Sequence, residues 1–177
     1  MIRIGNGSTS FYVNIIRSYL KNHEKVNVVA GGYRINIAVW VCFLIQQEQI
    51  VTKINSHFLD NAKIQTIFSF QVSREEPPCA SQGVYNILLE HLPLIKINKS
   101  SPIQHYRKLA SENHANVIIA AGSTCAKAFF LMSHLYKDGF VLKSLNITKT
   151  YIKDKYKAGV RIEVYKNLVL SKDDKKQ

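Results

Sequence analysis

Apolar positions along this chain follow two patterns, helical and extended, and the order in which the patterns succeed one another occurs twice. Tyr12, Ile15, Ile16, Tyr19 and Leu20 keep the i, i+3, i+4, i+7, i+8 spacing of a helix that buries one face. Residues 26–30 are nearly all apolar and are closed by glycine, as in a strand covered on both faces. Ile35, Ala38, Val39, Cys42 and Phe43 make a second helical stripe, and Phe68, Phe70 and Val72 then alternate with polar residues, the period of a half-buried strand. The succession returns further along. Ser101 as N-cap and Pro102 at the first helical position open a helix carrying Ile103, Tyr106 and Ala110. Residues 117–121 repeat the buried strand; Cys125, Ala128, Phe129 and Met132 repeat the second stripe; Val160, Ile162 and Val164 repeat the alternation. With residues 1–4 starting a strand, and residues 50–58 and 140–150 supplying the third strands, each copy reads strand, helix, strand, helix, strand, strand.

The repeat is also visible residue by residue. Ile2-Arg3-Ile4 recurs as Ile95-Lys96-Ile97 at an offset of 93, and Val28-Val29-Ala30-Gly31-Gly32 as Ile118-Ile119-Ala120-Ala121-Gly122 at an offset of 90. Ala38, Val39 and Lys53 meet Ala128, Phe129 and Lys143 at the latter offset, so three residues are missing from a helix or loop of the second copy. The expected boundaries are a first domain over 1–73, a linker over 74–93, a second domain over 94–168 and a polar tail over 169–177. Arg74-Glu75-Glu76-Pro77-Pro78 marks the linker, because two prolines remove two donors and disfavour helix before them. Residues 84–89 are apolar enough for a short helix or strand, so the linker is expected to be ordered in part.

Charge narrows the function classes. Lys and Arg outnumber Asp and Glu by 24 to 12, a formal charge of +12, which attracts phosphate backbones or anionic membranes. No run of about 18 apolar residues could span a bilayer, and the first residues read as a strand rather than a leader, so a membrane is not expected. Cys42, Cys79 and Cys125 are odd in number and lack any CxxC pairing, which suggests neither a disulfide framework nor a zinc site. The nucleus or cytoplasm, the nucleus foremost, is the expected compartment.

At the junction of second strand and second helix, Ala30-Gly31-Gly32-Tyr33-Arg34-Ile35-Asn36-Ile37-Ala38-Val39 resembles the signature of the Alba family: Ala, a basic residue, Gly, a basic residue, then Ile and Lys-Ala-Val. Ala120-Ala121-Gly122-Ser123-Thr124-Cys125-Ala126-Lys127-Ala128-Phe129 is similar and keeps the Lys127-Ala128 pair; Ile4-Gly5 followed by Tyr12-Val13 matches the family's first strand and helix. The resemblance implies two tandem βαβαββ domains of the two-layer α+β kind, within the broad α/β class, each with two helices on one face of a four-stranded sheet. It also implies binding of RNA or DNA through the loop after the first strand, the loop before the second helix and the final hairpin. Eukaryotic relatives pair as non-catalytic subunits of ribonuclease P and MRP particles, and a tandem chain could supply both halves of such a pair as an intramolecular pseudo-dimer. The family's first-loop lysines fall on Asn6 and Gly7, and in the second copy only Lys99 remains, beside Ser100. Its signature arginines fall on Gly31 and Tyr33 and on Ala121 and Ser123, with Arg34 one position along.

Independently of the family, Gly32 and Gly122 each lie between a strand and a helix N-terminus, where unpaired N–H groups and the helix dipole favour an anion; a tight turn alone would equally require glycine there. The strongest electrostatic feature is the last hairpin, where Lys149, Lys153, Lys155 and Lys157 interleave with Tyr151 and Tyr156 against Asp154 alone. That offers cations to phosphates and rings to bases. The corresponding turn, Asp60-Asn61-Ala62-Lys63, is short and nearly neutral, so the second copy is expected to carry the nucleic acid and the first a partner or the pseudo-dimer contact. Trp40 and Phe43, with Val39, Val41 and Leu44, make the second helix apolar nearly all round, which predicts burial between the copies or against another subunit.

No acid–base constellation stands out. The six histidines are scattered without metal-ligand spacing, and Glu75-Glu76 adjoin the linker prolines. No enzyme activity and no cofactor are expected. Two readings remain: a nucleic-acid-binding subunit, foremost of RNA, and a protein-interaction scaffold in a DNA- or RNA-modifying complex, each with other protein subunits as partners.

Overall fold

The computed structural model describes residues 1–61, 63–74, 92–152 and 155–167. Most of the expected linker (75–91), all of the tail, Cys79, Ala62, Lys153 and Asp154 lie outside them. The first half runs β1 (Ile2–Arg3), α1 (Thr9–Asn22), β2 (Lys25–Gly31), α2 (Ile35–Ile45), β3 (Ile50–Asn61) and β4 (Lys63–Ser73). The second runs β5 (Leu94–Lys96), α3 (Ile103–Ser111), β6 (Ala115–Ala121), α4 (Cys125–Lys137), β7 (Phe140–Ile152) and β8 (Lys155–Lys166). Each half forms a four-stranded sheet of one topology, β1-β2-β4-β3 and β5-β6-β8-β7, parallel in the first pair and antiparallel in the others. The expected element order holds in both, with β3 and β7 reaching further than residues 58 and 150.

The shorter helix explains the shift in register between copies. Helix α1 has 14 residues and α3 has 9, so the extra turn lies at the start of α1. Both helices use a tyrosine hydroxyl to hold the preceding loop. Tyr12 Oη accepts from Gly5 N (2.6 Å) and Gly7 N (3.3 Å), while Tyr106 Oη accepts from Asn98 N (2.9 Å). Ser8 caps α1, its hydroxyl accepting from Phe11 N at 3.3 Å. The expected Ser101 cap does not form: Pro102 is the N-cap of α3 and brings no side-chain bond. Ser101 donates its N–H to Asn98 Oδ1 instead (2.9 Å), because the loop's own asparagine reaches that donor.

Other repeated devices were hidden in the sequence. Arg17 of α1 holds Glu48 beyond α2 through two bonds of 3.0 and 2.5 Å, and Arg107 of α3 holds Asp138 beyond α4 in the same two-pronged way. Each clamp joins the two helices of its half, and all four residues obey the offset of 90. The edge strands β3 and β7 carry matching bulges, at Thr52/Asn55 and Leu142/Ser144. Lys53, inside the first, adopts a left-handed φ of 51°.

The two halves share one hydrophobic core. Helices α2 and α4 touch each other, and each also lies against the opposite half's sheet: α2 on β7 and β8, α4 on β4. That double contact is why α2 has no polar face. Ala38, Val39, Val41, Cys42 and Ile45 are all buried, with Trp40 and Phe43 packed partly buried against the core, their rings edge-on at 5.9 Å. Phe68 of β4 and Phe129 of α4 meet with ring centroids 5.1 Å apart, and Thr66 Oγ1 donates to Phe129 O at 3.4 Å. Asn36 Oδ1 accepts from Ala126 N at 2.8 Å, satisfying one of the N–H groups that the start of α4 leaves unpaired. Burial strips water from both thiols. The Cys42 thiol is pushed far above the ordinary range for cysteine, and Cys125 is pushed up to about 12.

Candidate nucleic-acid interface

Both strand-to-helix junctions contain a single 3₁₀ turn, Gly32–Arg34 and Gly122–Thr124, begun by a glycine with φ of +59°. That conformation costs a residue with a Cβ about 1 kcal/mol or more, so the turn itself demands glycine at both positions. The two turns differ in everything attached to them. In the second half Thr124 closes its own turn, its hydroxyl accepting from Ala121 N (3.1 Å) and donating to Ala121 O (2.9 Å). In the first half the equivalent residue is Arg34, which reaches outward: its Nε donates to Asn6 Oδ1 at 3.1 Å. Tyr33 donates its hydroxyl to the same oxygen at 2.6 Å, and the Arg34 guanidinium lies 5.4 Å from the Tyr33 ring centre.

The β7–β8 hairpin supplies cations around the second turn. Its register pairs Lys149 with Ala158, Thr150 with Lys157, Tyr151 with Tyr156 and Ile152 with Lys155. Directly paired residues of an antiparallel ladder share a face, so Lys149 and Tyr156 belong to one face of the hairpin and Lys155 and Lys157 to the other. Lys149 Nζ stands 3.7 Å from the centre of the Tyr156 ring, which is 58% exposed. The Lys157 stem passes over the second turn, its Cδ 3.4 Å from where a Cβ on Gly122 would sit. Lys149, Lys155 and Lys157 are exposed and form no ion pair among the described residues, whereas Arg161 is paired with the buried Glu163 at 3.3 Å. The hairpin's surface thus has two sides, Lys157 lying over the turn and Lys149 with Tyr156 on the opposite face.

Lys127 does not belong to that surface. Its ammonium has three N–H donors and spends them on the carbonyls of Asn98 (2.9 Å), Lys99 (3.0 Å) and Ser101, tying α4 to the β5–α3 loop. The lysine expected to contact phosphate is placed as a loop brace at the wall of a groove. Lys99 is exposed in that loop. Sequence reasoning missed Asn6, Tyr33 and Arg3. The signal available for Tyr33 was an aromatic directly after the turn glycine; for Asn6 there was none, since its partners lie 27 and 28 residues away.

Among the described residues no group of three His, Cys, Asp or Glu could hold a metal ion, and no helix is long and apolar enough to cross a membrane. No protein-family model and no curated protein matches the chain. Among solved structures it is similar to the crystal structure of ALBA1 from Trypanosoma brucei, with 24% identity and a TM-score of 0.39 over 42% of this chain and 68% of that one.

Proposed function

We propose that this protein is a non-catalytic nucleic-acid-binding subunit, foremost an RNA-binding one of a ribonucleoprotein such as the ribonuclease P and MRP particles. The observation that carries the reading is the β7–β8 hairpin with the Gly122 turn. Three exposed lysines without carboxylate partners among the described residues lie on its two faces, Lys149 beside the exposed Tyr156 ring and Lys155 and Lys157 on the other, with the Lys157 stem over the Gly122 turn. Lysines neutralise phosphates at a distance set by Coulomb attraction, and an exposed tyrosine offers a sequence-tolerant stacking platform. Arg34 adds a cation from the first half. Fusion of the two halves through a shared core gives one chain the pseudo-dimer that paired subunits would otherwise assemble.

The test is affinity for RNA and for DNA measured against salt concentration. Each phosphate contact contributes about 0.7 to 0.9 to the slope of log affinity on log salt. Changing Lys149, Lys155 and Lys157 together to Ala should therefore lower that slope by about two to three, with the circular dichroism spectrum unchanged. An unchanged slope sinks the hairpin assignment. A wild-type chain without measurable affinity for either polymer favours the scaffold reading, for which the exposed Phe11 and the half-buried Ile15 and Tyr19 on the outer side of α1 provide an apolar surface.

A further inference from the structure

A second feature of the surface lies where the two halves meet and uses none of the hairpin's lysines. Where the Gly32–Arg34 turn meets the beginning of α4 there is a groove of about 700 Å³, built by both halves. Its lining contains Arg3, Arg34 and Lys127 and no carboxylate. A cavity with three cations and no acid attracts an anion, and low-dielectric walls strengthen the field inside it. Lys127 contributes to that field even though neutral carbonyls occupy its donors. Arg3 has no ion-pair partner among the described residues.

Two aromatic rings line the same groove, one from each half: Tyr33, 63% exposed, and Phe130, 43% exposed. Both rings keep a large exposed face beside the cationic cavity although Tyr33 ties to Asn6 and Phe130 meets His134 edge-on. The Tyr33 ring is also fixed in place, because Asn6 Oδ1 accepts from its hydroxyl and from Arg34 Nε together. A ring immobilised before binding loses little entropy when a flat group stacks on it. The volume falls within the range of about 300–1,000 Å³ usual for small-molecule sites.

We infer that this groove takes one nucleotide unit, a planar base against the aromatic rings with its phosphate toward Arg3 and Arg34, as an unpaired nucleotide of a single strand or as a free mononucleotide. The polymer form deepens the proposed function and rests on it; the anion preference and the rings stand without it. A base stacked in a duplex cannot enter, so the groove discriminates single-stranded from double-stranded nucleic acid, which the cationic hairpin alone does not do.

The experiment titrates the full chain with a labelled single-stranded RNA of mixed sequence, with the same RNA as a blunt duplex, and with adenosine monophosphate as an unlabelled competitor. Tyr33→Ala should weaken single-strand binding by about five-fold or more, the loss typical of one stacked base, and Arg3→Gln should weaken it while lowering the salt slope by about one phosphate contact, both leaving duplex binding unchanged. Tyr33→Trp, which keeps a stacking face, should bind the single strand as the wild type does. Competition by the mononucleotide in the wild type but not in Tyr33→Ala identifies a free nucleotide as a ligand; loss of oligonucleotide affinity without such competition identifies the polymer. Wild-type affinity for the single strand in both Tyr33→Ala and Arg3→Gln overturns the inference while leaving the hairpin's role intact. A wild-type chain that binds neither strand form nor the mononucleotide overturns both.

Discussion

Positions 31–37 and 121–127 are equivalent in the repeat, and the two stretches show what each half has been adapted to do. Both make the same extended strand end, the same left-handed glycine and the same single 3₁₀ turn before a helix. At the next positions Tyr33 and Arg34 stand opposite Ser123 and Thr124. The first pair turns outward to a common asparagine, whereas Thr124 folds back on its own strand. Ile37 stands opposite Lys127, so only the second half has an ammonium bracing its first loop; the tyrosine hydroxyl takes two loop N–H groups in the first half and one in the second. The features that recur hold the frame, while those that differ turn outward in the first half, at Tyr33 and Arg34, and inward on their own half in the second, at Thr124 and Lys127. A repeated frame thus leaves its exposed positions free to diverge.

The sharpest way to break the comparison is at the small residue that lets β2 approach β4 and β6 approach β8. In the first half the cross-strand pair is Gly31 with Ile67; in the second it is Ala121 with Gly159, the glycine having changed strands. A Cβ on Gly159 would lie 2.7 Å from the Ala120 carbonyl oxygen, which is backbone and cannot step aside, whereas one on Gly31 would meet nothing nearer than 3.7 Å. Gly159→Ala should therefore destabilise the chain by about 1–3 kcal/mol, the usual cost of overpacking, and Gly31→Ala by no more than about 0.5 kcal/mol. Urea denaturation of both variants checks this. Equal losses would mean that the two sheets do not differ at this pair.

Of similar size is the effect at Lys127. Its removal leaves three loop carbonyls without their shared donor, and hydrogen bonds to a charged group contribute about 1.5–3 kcal/mol. Lys127→Ala should lower stability by an amount in that range and lower the salt slope of RNA binding by less than about one phosphate contact, because its donors are held by loop carbonyls. A slope that falls without loss of stability would restore Lys127 to the nucleic-acid surface. The smallest difference expected between the halves concerns their thiols. Burial raises both pKa values, so at pH 7 to 9, below the raised values, Cys42 and Cys125 stay as unreactive thiols; thiolate appears only at higher pH or on unfolding. Peptide mapping after brief maleimide treatment should find both cysteines unlabelled in the native chain and labelled in denaturant.

These contrasts also mark what could be read from the chain alone. The alternation at Phe68, Phe70 and Val72 and at Val160, Ile162 and Val164 gave the buried face of β4 and β8 correctly, because period-two burial leaves a direct trace in composition. The all-round apolarity of α2 likewise announced two covered sides. The site was less legible. Lys127 looks like any other cation in a basic chain until the loop carbonyls around it are seen, and their residues lie 26–29 positions away. Asn6 reads as a lost charge when compared with a family lysine, yet its oxygen is what positions Tyr33 and Arg34. Hydrogen-bond partnerships of this kind depend on distances between remote segments, which neither periodicity nor charge counting encodes.

The shared core of α2 and α4 has a further consequence. Two identical protomers related by a two-fold axis present the same surface in both directions, so a bound strand gains nothing from running one way rather than the other. Here the two halves share a frame but not a surface, the cationic hairpin belonging to the second and the braced aromatic turn to the first, and fusion in one chain makes that inequality permanent. If the proposed function holds, a strand with distinct 5′ and 3′ ends would meet two unlike halves, and its two directions across the molecule would differ in energy.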